Sequence, residues 1–134
     1  QVLLHIPFKY PARCHRMNNE GSWIGTFADS TTKEVHGIYW TKQQGYTVLR
    51  HFSPVAFNAH GQIVGYLLKG NQVKAPALWY RGTTYDLNAL LKFDQDLSSP
   101  WQSLIKVTGI NTQGQIVGQG IFGHQVHACL LNPK

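Results

Sequence analysis

The 134-residue chain has the length of one domain, for which about 100 to 200 residues is usual. Its composition, 43% hydrophobic and 13% charged, excludes a disordered chain, and its 13 glycines, spread between short apolar segments, favour an all-β protein. The formal charge of +6 comes from basic residues scattered singly, which argues against a nucleic-acid site, and no apolar segment approaches the roughly 18 residues of a membrane span.

The first predicted element is a strand over residues 1–6, QVLLHI. Its sequence is similar to VLRHF at residues 48–52, which ends the first repeat. The last repeat stops at its third strand, so residues 1–6 are predicted to supply the missing fourth one. This pairing would close the chain into a ring and remove two open sheet edges, which otherwise invite aggregation.

A hairpin motif recurs three times, as NNEGSWIG at residues 18–25, NAHGQIVG at 58–65 and NTQGQIVG at 111–118. Each copy has Asn, then Gly where a turn needs positive φ, and then a short apolar strand that ends in a second Gly. The asparagines are 40 and 53 residues apart, so the second interval carries an insertion. Units of this length bury their apolar faces by stacking on their neighbours.

Four antiparallel strands are predicted for each unit: one before the Asn turn, one after it, a third that ends at Trp40, Trp79 or Leu131, and a fourth after a glycine turn. The chain is therefore predicted to be a single domain over residues 1–134. Its parts are repeat one over about 13–52, repeat two over about 54–91, an insertion over 92–106, and repeat three over about 107–134 completed by residues 1–6.

The insertion, KFDQDLSSPWQSLIK, has no counterpart in the other repeats. Ser99, Pro100 and Gln102 match the start of a helix, with Ser as the N-cap, Pro at the first position and Gln able to return the capping bond. We predict a helix of one or two turns over residues 100–105. Asp94 and Asp96 would lie in the loop before it, close to its positive end.

The two cysteines, Cys14 and Cys129, fall in the first strand of repeat one and the third strand of repeat three. A ring would bring those strands together, and a disulfide between them is predicted. In the loop-entropy model it would stabilise the fold by about 4 to 5 kcal/mol. An oxidised pair would indicate a secreted or periplasmic protein. Two unrelated buried thiols are the alternative.

Residue patterns that indicate catalysis are few. Asp94 and Asp96 are the one pair of acids close in sequence, and a single flexible loop would hold them poorly at the separation that glycoside hydrolysis requires. His124 and His127 are three residues apart in a loop and strand, where their side chains would point to opposite faces. We therefore expect neither a metal nor a cofactor.

Nearly the whole chain resembles the bacterial extracellular HAF repeat: Asn-x-x-Gly-Gln-Ile-Val-Gly, a strand like His-Ala-Phe-Leu-Trp, a Gly turn and Asp-Leu-x-x-Leu. The match is strongest in repeat two, with NAHGQIVG, APALW and YDLNALL, and in repeat three, with NTQGQIVG and HACLL. Repeat one departs from it, with SWIG and HGIYW. The resemblance implies export and propeller-type β blades, and it implies no activity. Three four-stranded repeats also fit a β-trefoil, and a homodimer would complete six blades.

From these patterns we predict a secreted or periplasmic, non-catalytic binding module for a glycan or a surface protein. The loops between strands differ while the scaffold repeats, which is typical of binding loops. The candidate ligand-binding residues are Trp101, Asp94 and Asp96 in the insertion and His124 in a loop. Trp101 lies outside the repeated scaffold and suits ring stacking. The alternatives are a hydrolase with a loop carboxylate and a histidine, and a structural assembly protein.

Overall fold

The computed structural model describes residues 8–94 and 101–133, and of residues 92–94 and 101–102 only the backbone. This part of the chain contains short strands and one helix of eight residues, and no described helix is long and apolar enough to cross a membrane. The elements are β1 (Ala12–Met17), β2 (Trp23–Ala28), β3 (Val35–Thr41), β4 (Gly45–Leu49), β5 (Phe52–Phe57), β6 (Ile63–Lys69), β7 (Gln72–Tyr80), β8 (Thr83–Asp86), α1 (Leu87–Asp94), β9 (Trp101–Ile110), β10 (Ile116–Phe122) and β11 (Gln125–Leu131).

The predicted all-β class and the repeated hairpin are confirmed. The strands form three antiparallel sheets in chain order: sheet one (β1 to β4), sheet two (β5 to β8) and sheet three (β9 to β11). Sequential strands are neighbours throughout, and none of the three sheets closes on itself. Within the described residues, sheet three has three strands. The predicted strand over residues 1–6 lies outside the described part of the chain and stays a prediction.

The Asn turns join the first two strands of every sheet. In the second copy, Asn58 Oδ1 accepts hydrogen bonds from the backbone N–H groups of His60, at 3.0 Å, and Gln62, at 3.1 Å. These bonds close the turn locally, which is why Asn suits its first position. The fourth residue has positive φ in all three copies, 83° at Gly21, 76° at Gly61 and 83° at Gly114, which only glycine adopts at no steric cost.

The three sheets stack face to face. β5 packs on β2 and β3 of the preceding sheet, and β9 packs on β5, β6 and β7. The first core cluster, between sheets one and two, contains Ile24 from one sheet and Ile63 from the other. The second, between sheets two and three, contains Val64 and Ile116. Consecutive residues of β6 therefore face opposite neighbours, as the pleat of a strand requires.

The connection from sheet two to sheet three differs from the prediction. Only a fourth strand is predicted after the glycine turn of repeat two, which extends to about residue 91, but β8 ends at Asp86 and α1 follows. Asp86 acts as the N-cap, because its Oδ1 accepts from the backbone N–H groups of Asn88, at 2.9 Å, and Ala89, at 3.2 Å. Asn88 then pairs with the backbone of Leu104 on the edge strand β9, donating at 2.8 Å and accepting at 2.7 Å.

The helix predicted over residues 100–105 is wrong, because Trp101–Ile110 is strand β9. It pairs with β10 along its whole length, and Leu104 and Val107 are buried between sheets two and three. The hydrogen bonds to β10 and the burial of these side chains stabilise the strand more than capping could stabilise a helix of one or two turns. The expected position of Asp94 before a helix is also wrong, since it is the last residue of α1, and Asp96 lies outside the described residues.

The predicted disulfide is not formed, and both cysteines are free. Cys14 is exposed on β1, where it pairs with Gly25. Cys129 lies on β11 and packs against the cluster between sheets two and three, and this burial raises the pKa of its thiol. The expected meeting of the two strands does not occur because the sheets stack in chain order, with sheet two between the two cysteines.

Candidate functional site

The two ends of the stacked sheets carry different connections. One end, the turn end, has the Asn turns and the tight turns that follow β3 and β7. The other, the link end, has the loops that follow β2, β6 and β10 and the connections between sheets. Binding residues on a repeat scaffold usually lie in such connections, because their sequence can vary without disturbing the stacked core.

An open groove lies at the turn end between sheets one and two. It has a volume of about 640 Å³ and is bounded by three connections: the β3–β4 turn, the second Asn turn and the β7–β8 turn. Its aromatic residues are Tyr39, Trp79 and Tyr80, and its polar side chains are Thr41, Gln43, Gln44, His60 and Arg81. We call it the turn-end groove.

Two aromatic side chains of the turn-end groove, Tyr39 and Trp79, pack against the core. Tyr39 and Trp79 contact each other with ring centroids 6.3 Å apart, and both pack against the cluster between sheets one and two. Tyr39 also contacts Phe57 at 5.8 Å, and burial raises the pKa of the Tyr39 hydroxyl. All three groove aromatics are half-buried and present part of their surface to solvent, and the core contacts of Tyr39 and Trp79 hold those two rings in place.

The polar side chains form the rim of the groove. Gln43, Gln44 and His60 are exposed, and Gln44 is placed by a bond from its backbone N–H to the Thr41 hydroxyl at 3.1 Å. The Arg81 guanidinium lies over the Tyr80 ring, 5.1 Å from its centroid. The described residues that line the groove include no carboxylate. The groove can therefore stack and hydrogen-bond a ligand, and its described lining offers no acid pair of the kind that a glycoside hydrolase uses.

A second cluster of polar side chains lies at the link end of sheet one. Glu34 Oε2 is 3.8 Å from His36 Nε2 and 3.8 Å from His51 Nδ1, and the ligand atoms of all three residues lie within 4.8 Å of one another. His36 is buried, whereas His51 is exposed and has a positive φ of 54°. The spacing of this cluster is compatible with a metal ion, so the hydrogen bonds decide the matter.

The hydrogen bonds of His36 disfavour metal binding. Its Nδ1 accepts the backbone N–H of His51 at 2.9 Å, so the proton of the neutral ring is on Nε2. Nε2 faces Glu34, and a metal there would need that proton moved to Nδ1, against the N–H group of His51. Ligand histidines normally donate their other ring N–H, whereas this ring accepts. The arrangement fits a structural histidine.

The buried His36 should make stability depend on pH. Burial lowers the pKa of His36 below its usual 6.5, with His51 and Arg50 lowering it further against the opposite influence of Glu34 and Asp29. A lowered pKa means that the neutral ring stabilises the fold fully above pH 6.5 and that this contribution is lost as the pH falls through the folded-state pKa. We expect urea midpoints to fall as the pH is lowered below 6.5.

The matched variant is His36→Asn, whose Oδ1 can take the place of Nδ1 as acceptor for His51. It should flatten the pH dependence of the urea midpoint below pH 6.5, because a group that does not titrate replaces the imidazole. A variant whose midpoint falls as steeply as that of the wild type would assign the pH dependence to other groups.

Two of the predicted ligand-binding residues, Trp101 and His124, lie away from the turn-end groove. Trp101 begins β9 and pairs with Phe122 at the link end of sheet three, and His124 is in the β10–β11 turn beside them, with φ of 68°. The backbone thus brings Trp101 and His124 to one edge, but the side chain of Trp101 lies outside the description. Asp94 ends α1, its side chain is likewise undescribed, and Asp96 is in the undescribed segment.

The groove residues were missed because three connections far apart in sequence supply them. A signal was present, since IYWT and LWYRG place two aromatic residues beside a turn at the end of a third strand. Because Trp79 has a repeated position, its pattern indicates a scaffold residue, whereas Trp101 in the insertion has no counterpart. Comparisons with protein-family models, curated proteins and solved structures found no match. The resemblance to HAF repeats therefore stays a prediction, and the functional argument depends on geometry.

Proposed function

We propose that this protein is a non-catalytic binding module that takes a glycan in the turn-end groove. The observation that carries the proposal is the combination of Tyr39, Trp79 and Tyr80 with a rim of side-chain amides and one guanidinium in a single open groove. Sites of this kind usually combine apolar and aromatic walls with a few polar groups that fix orientation.

The chemistry of the groove matches that of a sugar ring. One face of a pyranose carries C–H bonds, which favour the negative face of an aromatic ring, and its edge carries hydroxyl groups. The amides of Gln43 and Gln44 can both donate to and accept from neighbouring hydroxyl groups, and Arg81 can pair with a carboxylate of an acidic sugar. The excess of basic residues, a formal charge of +6, favours acidic over neutral glycans.

The proposal excludes turnover at this groove, since no carboxylate lines its described part. The hydrolase alternative needs Asp94 or Asp96 beside a histidine, and it stays a prediction because neither side chain is described. We further propose propeller-type stacking of the sheets and export from the cell. Stacking in chain order supports the first, and the HAF resemblance is the basis of the second, since the free thiols lend export no support.

The test is calorimetric titration of the full chain with oligosaccharides, using neutral cello- and xylo-oligomers and an acidic oligogalacturonate. We expect binding that the Trp79→Ala variant loses by at least about tenfold, which corresponds to roughly 1.4 kcal/mol of stacking energy. The matched control is Trp40→Ala, because Trp40 also ends a third strand and is half-buried but does not line the groove. Its affinity should equal that of the wild type.

Two results would overturn the proposal. If the wild type bound none of the oligosaccharides at millimolar concentration, a glycan would be excluded as the ligand of the groove. Equal losses for Trp79→Ala and Trp40→Ala would show that the effect comes from stability and not from the groove. Trp101→Ala belongs in the same series, because a loss confined to that variant would move the site to the link end of sheet three and support the sequence-based prediction.

A further inference from the structure

All three sheets have the same orientation in the stack, so the two faces of each sheet differ in which neighbouring sheet they meet. Two consecutive residues at the start of the second strand of each sheet point to opposite faces. The first residue lies on the side of the preceding sheet, and the second lies on the side of the following sheet. Ile63 and Ile116 are residues of the first kind, and Ile24 and Val64 are residues of the second kind. The next sheet covers Ile24 and Val64 completely, and both have an exposed fraction of 0%.

On the outer face of sheet three, no described part of the chain covers the next residue of this series. Val117 has the repeat position of Ile24 and Val64, yet 44% of it is exposed. It pairs with Leu130, which is 52% exposed, and Val126 on the same face is 57% exposed. Paired residues share one face of a sheet, so these side chains form one apolar surface, which we call the open face.

A polar residue of the open face also has an equivalent in an internal interface. Gln119 has the repeat position of Tyr66 in sheet two. The Tyr66 hydroxyl reaches the first strand of the next sheet, where it accepts from the Val107 backbone N–H at 3.2 Å. Gln119 is exposed and has the same pairing position on β10. The open face therefore matches the face by which sheet two holds sheet three.

The other end of the stack carries the complementary face. Trp23 has the position of Ile63 and Ile116, and it forms a third cluster with aromatic residues on the free side of sheet one. Phe8 and Tyr10 cover part of this aromatic face, with ring centroids 5.0 and 5.4 Å from Phe27. Within the described residues this cover is incomplete, because an open cleft of about 500 Å³ remains beside Phe8, Tyr10 and Trp23.

We propose that two copies of this chain pair head to tail, with the open face of each copy on the aromatic face of the other. Each copy carries both halves of the contact, so one two-fold axis satisfies both faces of both copies and leaves neither end uncovered. The pair is a ring of six sheets, within the usual range of about four to eight for propeller-type folds. This inference rests on the stacking of the sheets and is independent of the glycan groove.

The test is the solution mass of the full chain, measured by light scattering and sedimentation at micromolar concentration. We expect twice the chain mass of 15.1 kDa. Val117→Asp on the open face and Val48→Asp on the aromatic face should each give a monomer, because each buries a charge in the contact. Val48 is 36% exposed and pairs with Ile38 of the aromatic cluster.

The control is Val73→Asp, the same change at a residue that is 64% exposed and lies on β7, away from both faces. This variant should remain a dimer, and far-UV circular dichroism should show that all three variants are folded. A monomeric wild type would overturn the proposal. So would a dimer that Val117→Asp breaks and Val48→Asp leaves intact, since that pattern belongs to two open faces meeting each other, and so would open oligomers of increasing mass.

Discussion

The Gly65→Ala variant is expected to lose more than about 4 kcal/mol of unfolding free energy, a loss at the upper end for a single substitution. A Cβ at Gly65 would lie 2.0 Å from the backbone oxygen of Ser53 and 2.8 Å from the Cα of Pro54. Both atoms belong to the backbone of the neighbouring strand, so no rotamer change relieves the clash. Because a domain of this size is stable by about 5 to 15 kcal/mol, this loss removes a large share of the total stability.

The same contact recurs in the other two sheets, so the effect belongs to the repeat. Added Cβ atoms at Gly25 and Gly118 would also lie 2.0 Å from a backbone oxygen, of Arg13 and Lys106 respectively. A bulge adjoins each of these contacts and brings the first strand close to the second. This explains the second glycine of each hairpin motif, which a turn alone would not require.

Equilibrium urea unfolding followed by circular dichroism measures the loss. Gly109→Ala is the control, because a Cβ there would meet only a Val117 methyl group, at 3.2 Å, and that side chain can move. We expect the control to change stability by less than about 1 kcal/mol. A Gly65→Ala protein within that limit would mean that the two strands separate easily at the bulge, and the close backbone contact would then not be the reason for the glycine.

The repeat was predictable because it depends on local chemistry. An Asn and a Gly at fixed spacing specify the turn, and the apolar residues after them specify a strand that is buried on both faces. The order of strands in each sheet follows, since each turn joins neighbours. The number of residues per unit then predicts stacking, which the two internal core clusters confirm.

Strand β9 was not predictable, because bulges break the alternation that identifies a strand. Its pairing with β10 shifts between Val117 and Gly118 and twice more toward its start, so its buried residues, Leu104 and Val107, are three apart. A spacing of three suggests a helix when it follows the sequence Ser-Pro. For α1 the error was the reverse, because the apolar run LNALL resembles a strand. The Asp86 N-cap was the one feature of the sequence that indicated a helix.

The turn-end groove lay beyond a sequence argument for a different reason. Its walls come from β3, from the second Asn turn and from β7, and only the stacking of sheet one on sheet two brings them together. Trp40 and Trp79 have the same repeat position, yet only Trp79 lines the groove. Its neighbour across the sheets is Tyr39, whereas Trp40 stacks on Trp23 at the end of the stack.

The Asn58→Ala variant is expected to lose about 2 to 4 kcal/mol, because it leaves several part-buried polar groups without partners at once. Asn58 is 6% exposed. Besides closing its own turn, its Nδ2 donates to Gln62 Oε1, at 2.6 Å, and to the backbone oxygen of Asn111, at 2.9 Å. The second bond joins the turn of sheet two to the turn of sheet three, so the residue also fixes how these sheets are aligned.

Asn111→Ala supplies the matched comparison, because Asn111 has the same turn position but is exposed. Its side chain accepts from Gln115 N–H at 2.9 Å and donates to Gln115 Oε1 at 2.8 Å, and no described residue of another sheet receives its bond. Water can replace these partners, so we expect a loss of at most about 1 kcal/mol. Equal losses in urea unfolding for the two variants would mean that Asn58 acts only within its own turn; a clear excess for Asn58→Ala would show that its bond to the turn of sheet three adds to what the shared turn position contributes.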